Sequence, residues 1–355
     1  MDSQPGNSIK SVLVTGGAGY VGAVLVPKLL DDGYRVRVLE LFVFGEEALD
    51  AVKDHPGLEL VRGDLRDPEC ISEAVQGCDA VIHLACISND PSFELDPGLG
   101  RSINYEPFTP LVRLAKESGV RRFIYASSSS VYGVSAKPDV TEEHPLEPLT
   151  DYSRFKALCE PILLDHADST FTAVIVRPAT VCGWSPRLRL DLTVNILTNL
   201  AVHKGAITVF GGAQMRPNIH IDDMADLYRL LLKLPAAKVA NRIYNAGYQN
   251  HTVAEIAGIV KRVVESRVPG RERVEVKTTP TNDLRSYHIS SEKIRRELGF
   301  SARRSIEDAV VGLVDAFQAG LVQDPLSNPR YYNIKTVQSL LPRLLREKAV
   351  AVGAN

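Results

Sequence analysis

Aromatic residues are scarce in this chain, at 6% of 355, which gives no reason to look for the base-stacking surface that single-stranded nucleic acids require. Neither sign of charge dominates. Forty-one basic against forty-three acidic residues leave a formal charge of -2, so no global field recruits DNA, RNA or an anionic membrane, and any anionic partner must be gripped locally. No apolar run approaches the roughly 18 residues of a membrane-spanning helix. The opening MDSQPGNSIK is polar and carries an acid, unlike a secretory leader with its basic start and apolar stretch. The expected location is the cytoplasm, with no nucleic-acid or membrane partner. The five cysteines, Cys70, Cys78, Cys86, Cys159 and Cys182, are odd in number, scattered and without C-x-x-C spacing. Reduced, mostly buried thiols are expected, with neither a disulfide framework nor a metal site.

What is present is the composition of a packed globular protein, 45% hydrophobic and 24% charged. The length exceeds a usual single domain, which favours a large α/β unit carrying a smaller lobe. Short β-branched runs, Ser11 to Thr15, Arg35 to Glu40, Leu58 to Arg62, Ala80 to Leu84, Arg122 to Ser127 and Thr172 to Arg177, alternate with segments of helical period. Nearly continuous apolar runs of this kind are strands buried on both faces, and the pattern predicts a doubly wound parallel sheet of the Rossmann type. After Pro178 glycine and proline change the rhythm. Residues 1–178 are expected to form the dinucleotide-binding domain, with segments near 217–246 returning to it, and 179–355 mainly a C-terminal substrate-binding lobe. Helices are predicted over Leu190 to Val202, Ile221 to Leu234, Val253 to Glu265 and Ile306 to Phe317, and one more strand over Arg242 to Ala246.

Strand one runs into Gly16-Gly17-Ala18-Gly19-Tyr20-Val21-Gly22 and then a helix. Glycines at the first, fourth and seventh positions let backbone N–H groups and a helix N-terminus approach a pyrophosphate. Glu40 ends the second strand, where a carboxylate accepts hydrogen bonds from ribose hydroxyls and repels a 2′-phosphate, so the cofactor expected is NAD rather than NADP. Asp64, after the third strand, is either an adenine contact or a turn cap. His83, inside an apolar run, is expected to be a core histidine.

Tyr152 and Lys156 stand four residues apart, on one face of a helix that begins near Thr150 or Asp151. A free phenol, with a pKa near 10, is a poor base at neutral pH, but a neighbouring ammonium favours phenolate. Tyr152 can then take the proton of a hydroxyl while that carbon loses its hydride, with Lys156 tuning the phenol and anchoring the cofactor ribose. The fifth strand ends in Ser127-Ser128-Ser129-Ser130, followed by Val131-Tyr132-Gly133. Strand ends of this kind border ligand crevices, where one serine can hydrogen-bond the reacting oxygen while the others cap a turn.

With these stretches, and with Arg177-Pro178 and Arg216-Pro-Asn-Ile-His-Ile-Asp-Asp223, nearly the whole chain resembles an extended short-chain dehydrogenase/reductase of the NAD-dependent nucleotide-sugar epimerase/dehydratase group. The resemblance implies catalysis by Tyr152, Lys156 and Ser128. It implies cofactor contacts from Gly16, Gly19, Tyr20, Val21, Gly22, Glu40, Asp64, Leu65, Leu84, Ala85, Asn104 and Lys156. It implies substrate contacts from Ser88, Ser129, Ser130, Thr180, Asn195, Arg216 and Arg285, on a nucleotide-diphosphate sugar. Arg177, Arg187 and Arg189 are further candidates for the diphosphate.

Dehydratases of the group place Asp-Glu after the catalytic Ser/Thr, because loss of water needs an extra acid and base; here Ser129 and Ser130 stand there. The expected reaction is epimerisation, in which a transient keto-sugar rotates and takes its hydride back on the other face. A 4,6-dehydratase, a keto-sugar reductase and a non-catalytic NAD-binding sensor or scaffold are the alternatives. Inversion beside the ketone would need further proton-transfer groups such as Cys86 or Cys182, for which inert burial is the expectation. The family's four-helix seam, here Ser102 to Ser118 with Asp151 to Asp165, implies a homodimer.

Overall fold

Backbone pairing begins where the β-branched runs lie. The computed structural model describes residues 9–88, 90–135, 137, 139–281 and 286–352. Its strands are β1 (Ser11–Thr15), β2 (Arg35–Glu40), β3 (Leu58–Arg62), β4 (Ala80–His83), β5 (Arg122–Ala126), β6 (Thr172–Pro178), β7 (Thr180–Cys182), β8 (Ala206–Phe210), β9 (Met215–His220), β10 (Arg242–Ala246), β11 (Gln249–Thr252) and β12 (Glu275–Thr279). Among the described residues, seven strands form one sheet in the order β10-β6-β5-β4-β1-β2-β3, every neighbouring pair parallel. The strand order reverses between β1 and β4, so a crevice opens at their carboxyl ends. This is the α/β doubly wound architecture expected.

The inner strands β1, β4, β5 and β6 are buried on both faces because side chains alternate across them and helices cover each side. Val12 and Val14 pack with Leu25 and Leu29 of helix Gly22–Asp31 and with Met224 and Leu231 of helix Ile221–Lys233. Leu13 points the other way, to Ile71, Leu111, Val112 and Leu163. After β6 the chain builds a smaller lobe. There β9 lies between β7 and β11, β8 pairs with β12, and helices Thr193–Lys204, Val253–Arg267 and Ile306–Gln318 share a core of Val194, Leu197, Val260 and Val310. β10 crosses back to the edge of the large sheet beside β6.

Several expectations shift. β4 and β5 stop one residue early, as the backbone turns into the crevice. The helix expected around Leu190 begins at Thr193, and Leu190 N–H is held by the Tyr331 carbonyl at 2.8 Å. The segment from Ser102 to Ser118 is not one helix: Pro97–Asn104 and Phe108–Glu117 are separate, with Pro107 at the break, where it has no N–H to give the preceding turn. A long helix, Asn333–Val352, was not anticipated. No helix among the described residues is long and apolar enough to cross a membrane.

One polar cluster crosses the core. Arg177 on β6 meets Glu160 of helix Asp151–Asp165 in a fork, Nε to Oε1 at 2.9 Å and Nη2 to Oε2 at 2.6 Å, the side chains only 4% and 3% exposed. Ser127 donates to the same carboxylate at 2.6 Å. Arg177 Nη1 donates to Tyr132 Oη at 2.7 Å, and Tyr132 in turn to Asn245 Oδ1 at 2.7 Å. Arg177 is therefore no diphosphate ligand, and that expectation is corrected. Removing one partner of such a pair leaves a buried uncompensated charge, so Arg177→Met should cost about 3–5 kcal/mol in urea unfolding, with Glu160→Met in the same chain restoring part of it. A loss under about 1 kcal/mol in the single variant would contradict this account.

Candidate active site

The crevice is a cavity of about 640 Å³ running from the glycine turn to the second lobe, within the range of small-molecule sites. Its floor is the turn after β1. Gly16 has φ +75°, and a Cβ there would lie 2.6 Å from the Ala85 nitrogen; one on Gly22 would lie 2.4 Å from the Gly17 carbonyl oxygen. Only glycines let the turn come this close to the end of β4. Helix Gly22–Asp31 starts at Val21 without a side-chain cap, which leaves its N-terminal end suited to a phosphate. Gly16, Gly19, Tyr20, Val21 and Gly22 all line the cavity, as do Leu84 and Ala85.

Glu40 is the last residue of β2, its carboxylate accepting from Leu41 N–H at 2.9 Å. Burial pushes its carboxyl up, against the opposing pull of the Leu41 and Phe42 amides and the Arg187 guanidinium. Asp64 and Leu65 face the same end of the cavity. Asp64 lines the cavity and accepts from Arg66 N–H at 2.9 Å in a local turn, with the Arg66 guanidinium folded onto its carboxylate. A close-approach glycine turn, an uncapped helix start and an acid at the β2 end together fit the pyrophosphate and ribose of a nicotinamide dinucleotide.

Tyr152 and Lys156 lie in the first turns of helix Asp151–Asp165, opened by a capping box between Thr150 and Ser153. Thr150 Oγ1 also donates to Asp90 Oδ1 at 2.6 Å, which ties the helix start to the loop after β4. Lys156 is 4% exposed; its Nζ donates to the Ala126 carbonyl at 2.7 Å and lies over the Tyr125 ring. Tyr152 packs edge-on to Phe93 and faces the cavity with Lys156 and Ser128. Burial pushes the Tyr152 phenol well up, with Cys86 and Asp90 adding to the rise, while Arg189 and a hydrogen bond from Ser128 oppose it. Ser128 Oγ also accepts from Ser130 N–H at 3.2 Å and contacts Ser130 Oγ at 2.8 Å. It is both cap and cavity hydroxyl. Ser129 is 1% exposed.

From the second lobe come Thr180, Arg187, Arg189, Asp191 and Arg216, with Ser88 and Cys86 across from them. Arg189 is held by Asp191, Nε to Oδ1 at 2.9 Å, and donates to Ser88 Oγ at 3.0 Å.

Two candidates do not reach the cavity. Asn195 is fully buried, its amide occupied by Gly183 N–H, Tyr20 Oη and the Arg189 carbonyl; it braces the lobe instead of touching a sugar. Asn104 bonds both backbone groups of Ile87, at 2.8 and 3.0 Å, and shapes the loop after β4. Arg285 lies outside the described residues. His83 is a core histidine, bonded to Thr15 Oγ1 at 2.7 Å and pushed down to about 3 by burial. All five cysteines are free, and burial pushes Cys182 up to about 12, leaving no thiolate near neutrality. Asp90, Asp191, Asn333, Val337 and Leu344, none of them singled out by the sequence reading, also stand on the cavity wall. For Val337 and Leu344, the apolar spacing of the C-terminal segment is the available signal.

Residues 12–247, well over half of the chain, match the NAD dependent epimerase/dehydratase family. The UDP-glucose 4-epimerase 2 of Arabidopsis thaliana is 29% identical over 327 residues, covering 84% of this chain and 92% of the relative. The UDP-glucose 4-epimerase of Bacillus subtilis (strain 168) is 29% identical over 322 residues, covering 84% and 94%. Among solved structures, the dTDP-glucose 4,6-dehydratase DesIV from Streptomyces venezuelae, with NAD bound, is similar at a TM-score of 0.77 and 25% identity, over 91% of this chain and 98% of that one. The glycine turn, Glu40 and the tyrosine–lysine helix thus sit in a shared frame, and the chain belongs to the NAD-dependent epimerase/dehydratase family, with NAD as its cofactor.

Proposed function

We propose that this enzyme is an epimerase of a nucleotide-diphosphate sugar, working through a transient keto-sugar with Tyr152 as base. The observation that carries the reading is Tyr152, Lys156 and Ser128 on one cavity wall, next to serines 129 and 130, which cannot supply the acid and base of an elimination. Relatives named for UDP-glucose and dTDP-glucose support a nucleotide sugar as substrate.

Tyr152 removes the proton of the sugar hydroxyl, and Ser128 hydrogen-bonds the oxygen as it becomes a carbonyl. NAD, when bound, would supply a hydride acceptor, and later its donor, for the same carbon. Lys156, fixed by the Ala126 carbonyl, presents a cation beneath the tyrosine face of the helix. Arg189 and Arg216 supply the bidentate donors that a diphosphate needs. The keto-sugar turns over in the cavity, receives the hydride on its other face, and recovers its proton from Tyr152. A cytoplasmic homodimer, seated on helices Phe108–Glu117 and Asp151–Asp165, goes with this reading; Leu158 on the second of them is 42% exposed. One observation favours a second reading. Asp90 and Cys86 share the cavity with Tyr152, and a carboxylate or thiol there gives a proton-transfer group for inversion beside the ketone or for loss of water.

Incubation with NAD and UDP-, GDP-, dTDP- and CDP-hexoses in deuterated water separates these outcomes by product mass and proton NMR. Unchanged mass with one inverted stereocentre is expected; added deuterium without water loss moves the inversion beside the ketone, and loss of water makes the enzyme a dehydratase. Tyr152→Phe should keep NAD binding and lose about 10²–10⁴ in kcat, and normal turnover in that variant would remove Tyr152 as base. Because burial holds the phenol high while the reaction needs phenolate, kcat/KM should rise with pH through neutrality. Arg189→Met, by deleting a cation that favours phenolate, should move that rise to higher pH. A profile flat between about pH 6 and about pH 9 would contradict the assignment.

A further inference from the structure

Helix Asn333–Val352 runs along the cavity: Asn333, at its start, bonds Ser88 and Asp191, and Leu344 packs toward the cofactor end. Asn333, Val337 and Leu344, four and seven residues apart and so on one helix face, line the same cavity as Glu40, Asp64 and Leu65. Leu344 is 3% exposed and packs with Ile87 and Leu99, against partly buried Leu41, Val43 and Ile103. Those residues belong to the loops after β2 and β4 and to the helix that follows, the segments flanking an adenosine site. Arg66, which grips Asp64, also donates to the Leu344 carbonyl at 3.0 Å. The helix is thereby fixed to the same side chain that orients the adenine candidate.

Arg187 spans the cleft from the second lobe to this helix. It is 4% exposed, its guanidinium stacks 3.6 Å from the Phe44 ring centroid beyond β2, and Nη2 donates to Asn333 Oδ1 at 2.5 Å. Asn333 also donates to Ser88 Oγ at 2.8 Å, and its N–H reaches Asp191 at 3.1 Å. Arg187 Nε is buried and has no hydrogen-bond partner among the described residues. Among the described residues no carboxylate forks this guanidinium as Asp191 holds Arg189, and the Asp191 and Glu40 carboxylates reach it only through their field. A buried cation with an unmatched donor on a cavity wall calls for an anionic ligand. Phe44 places that ligand at the end of the cavity near Glu40, whereas Tyr152 and Ser128 mark the sugar end.

We propose that the C-terminal helix and Arg187 complete the NAD site: Val337 and Leu344 wall the adenosine, and the Arg187–Asn333 bridge closes over its phosphates and holds the cofactor through turnover. This rests on the NAD cofactor and not on the epimerase reading, so the two fail separately. NAD retention without release suits a reaction that returns its hydride to the same sugar.

The test uses the full chain and reads NAD binding, not activity. In hydrogen exchange on the unaltered protein, NAD should protect the amides of residues 333–344; no change there overturns the proposal. Arg187→Met, near in volume, and the mild Val337→Ala should each weaken NAD binding by calorimetry, the first by about tenfold or more, with binding of UDP and dTDP within about twofold of the parent. NAD affinity within about twofold of the parent in both variants overturns it. So does a loss confined to UDP or dTDP, which would assign the guanidinium to the substrate diphosphate. Melting of the ligand-free variants near the parent value keeps misfolding from imitating the result.

Discussion

The fork between Arg177 and Glu160 fixes where the chemistry happens. Glu160 lies four residues after Lys156 and eight after Tyr152, close to one stripe of the helix, so anchoring Glu160 sets the rotation that aims both at the cavity. The anchor reaches three strands: Arg177 is on β6, Ser127 follows β5, and Tyr132 passes the contact to Asn245 on β10. Taking two charges out of water is costly, and it is tolerated here because the remaining lone pairs and N–H groups are matched by a serine, a tyrosine and the Glu142 carbonyl. An apolar substitute would pack but would not specify direction. Lys156, bonded to Ala126 at the end of β5, uses the orientation so set.

The glycine turn carries a second constraint, linking the sheet to the smaller lobe. Tyr20, inside the turn, donates to the Gly183 carbonyl at 2.6 Å and accepts from Asn195 at 3.0 Å; Ser185 donates back to the Tyr20 carbonyl at 2.8 Å. The backbone that cradles the pyrophosphate therefore shares hydrogen bonds with the loop leading to Arg187 and Arg189. Asn195, conceived from sequence as a sugar contact, serves this junction.

The sheet was legible because its strands are short β-branched runs, and parallel strands covered on both faces have little freedom to be anything else. The glycine turn and the Tyr152–Lys156 pair were legible because their geometry is local: a turn of seven residues and a helical interval of four. What escaped depends on contacts distant in sequence. Nothing near Arg177 tells a buried fork to Glu160 from a surface cation awaiting a phosphate, and the sequence alone could not choose. Arg187 meets Phe44 and Asn333 across long stretches of chain. Helix Asn333–Val352 has a helical apolar period, but Pro342 interrupts it, and a proline inside a periodic stretch reads as a stop. β12, nearly all exposed and rich in threonine and charge, shows no core face to count.

The cavity divides its work between the two units. The groups proposed for catalysis, Tyr152, Lys156 and Ser128, stand on elements of the large sheet, whose register is fixed by seven parallel strands. Groups suited to a substrate's anionic handle, Arg189 and Arg216, stand on the smaller lobe, with Arg189 already oriented by Asp191 before any ligand arrives. Preorganised donors cost little reorganisation when charge develops, which suits a reaction whose barrier lies in charge transfer between a hydroxyl, a phenol and a nicotinamide. The separation also lets the lobe change its contacts with sugar and nucleotide without disturbing the phenol. A sheet of this kind can therefore serve relatives named for different sugars and different outcomes.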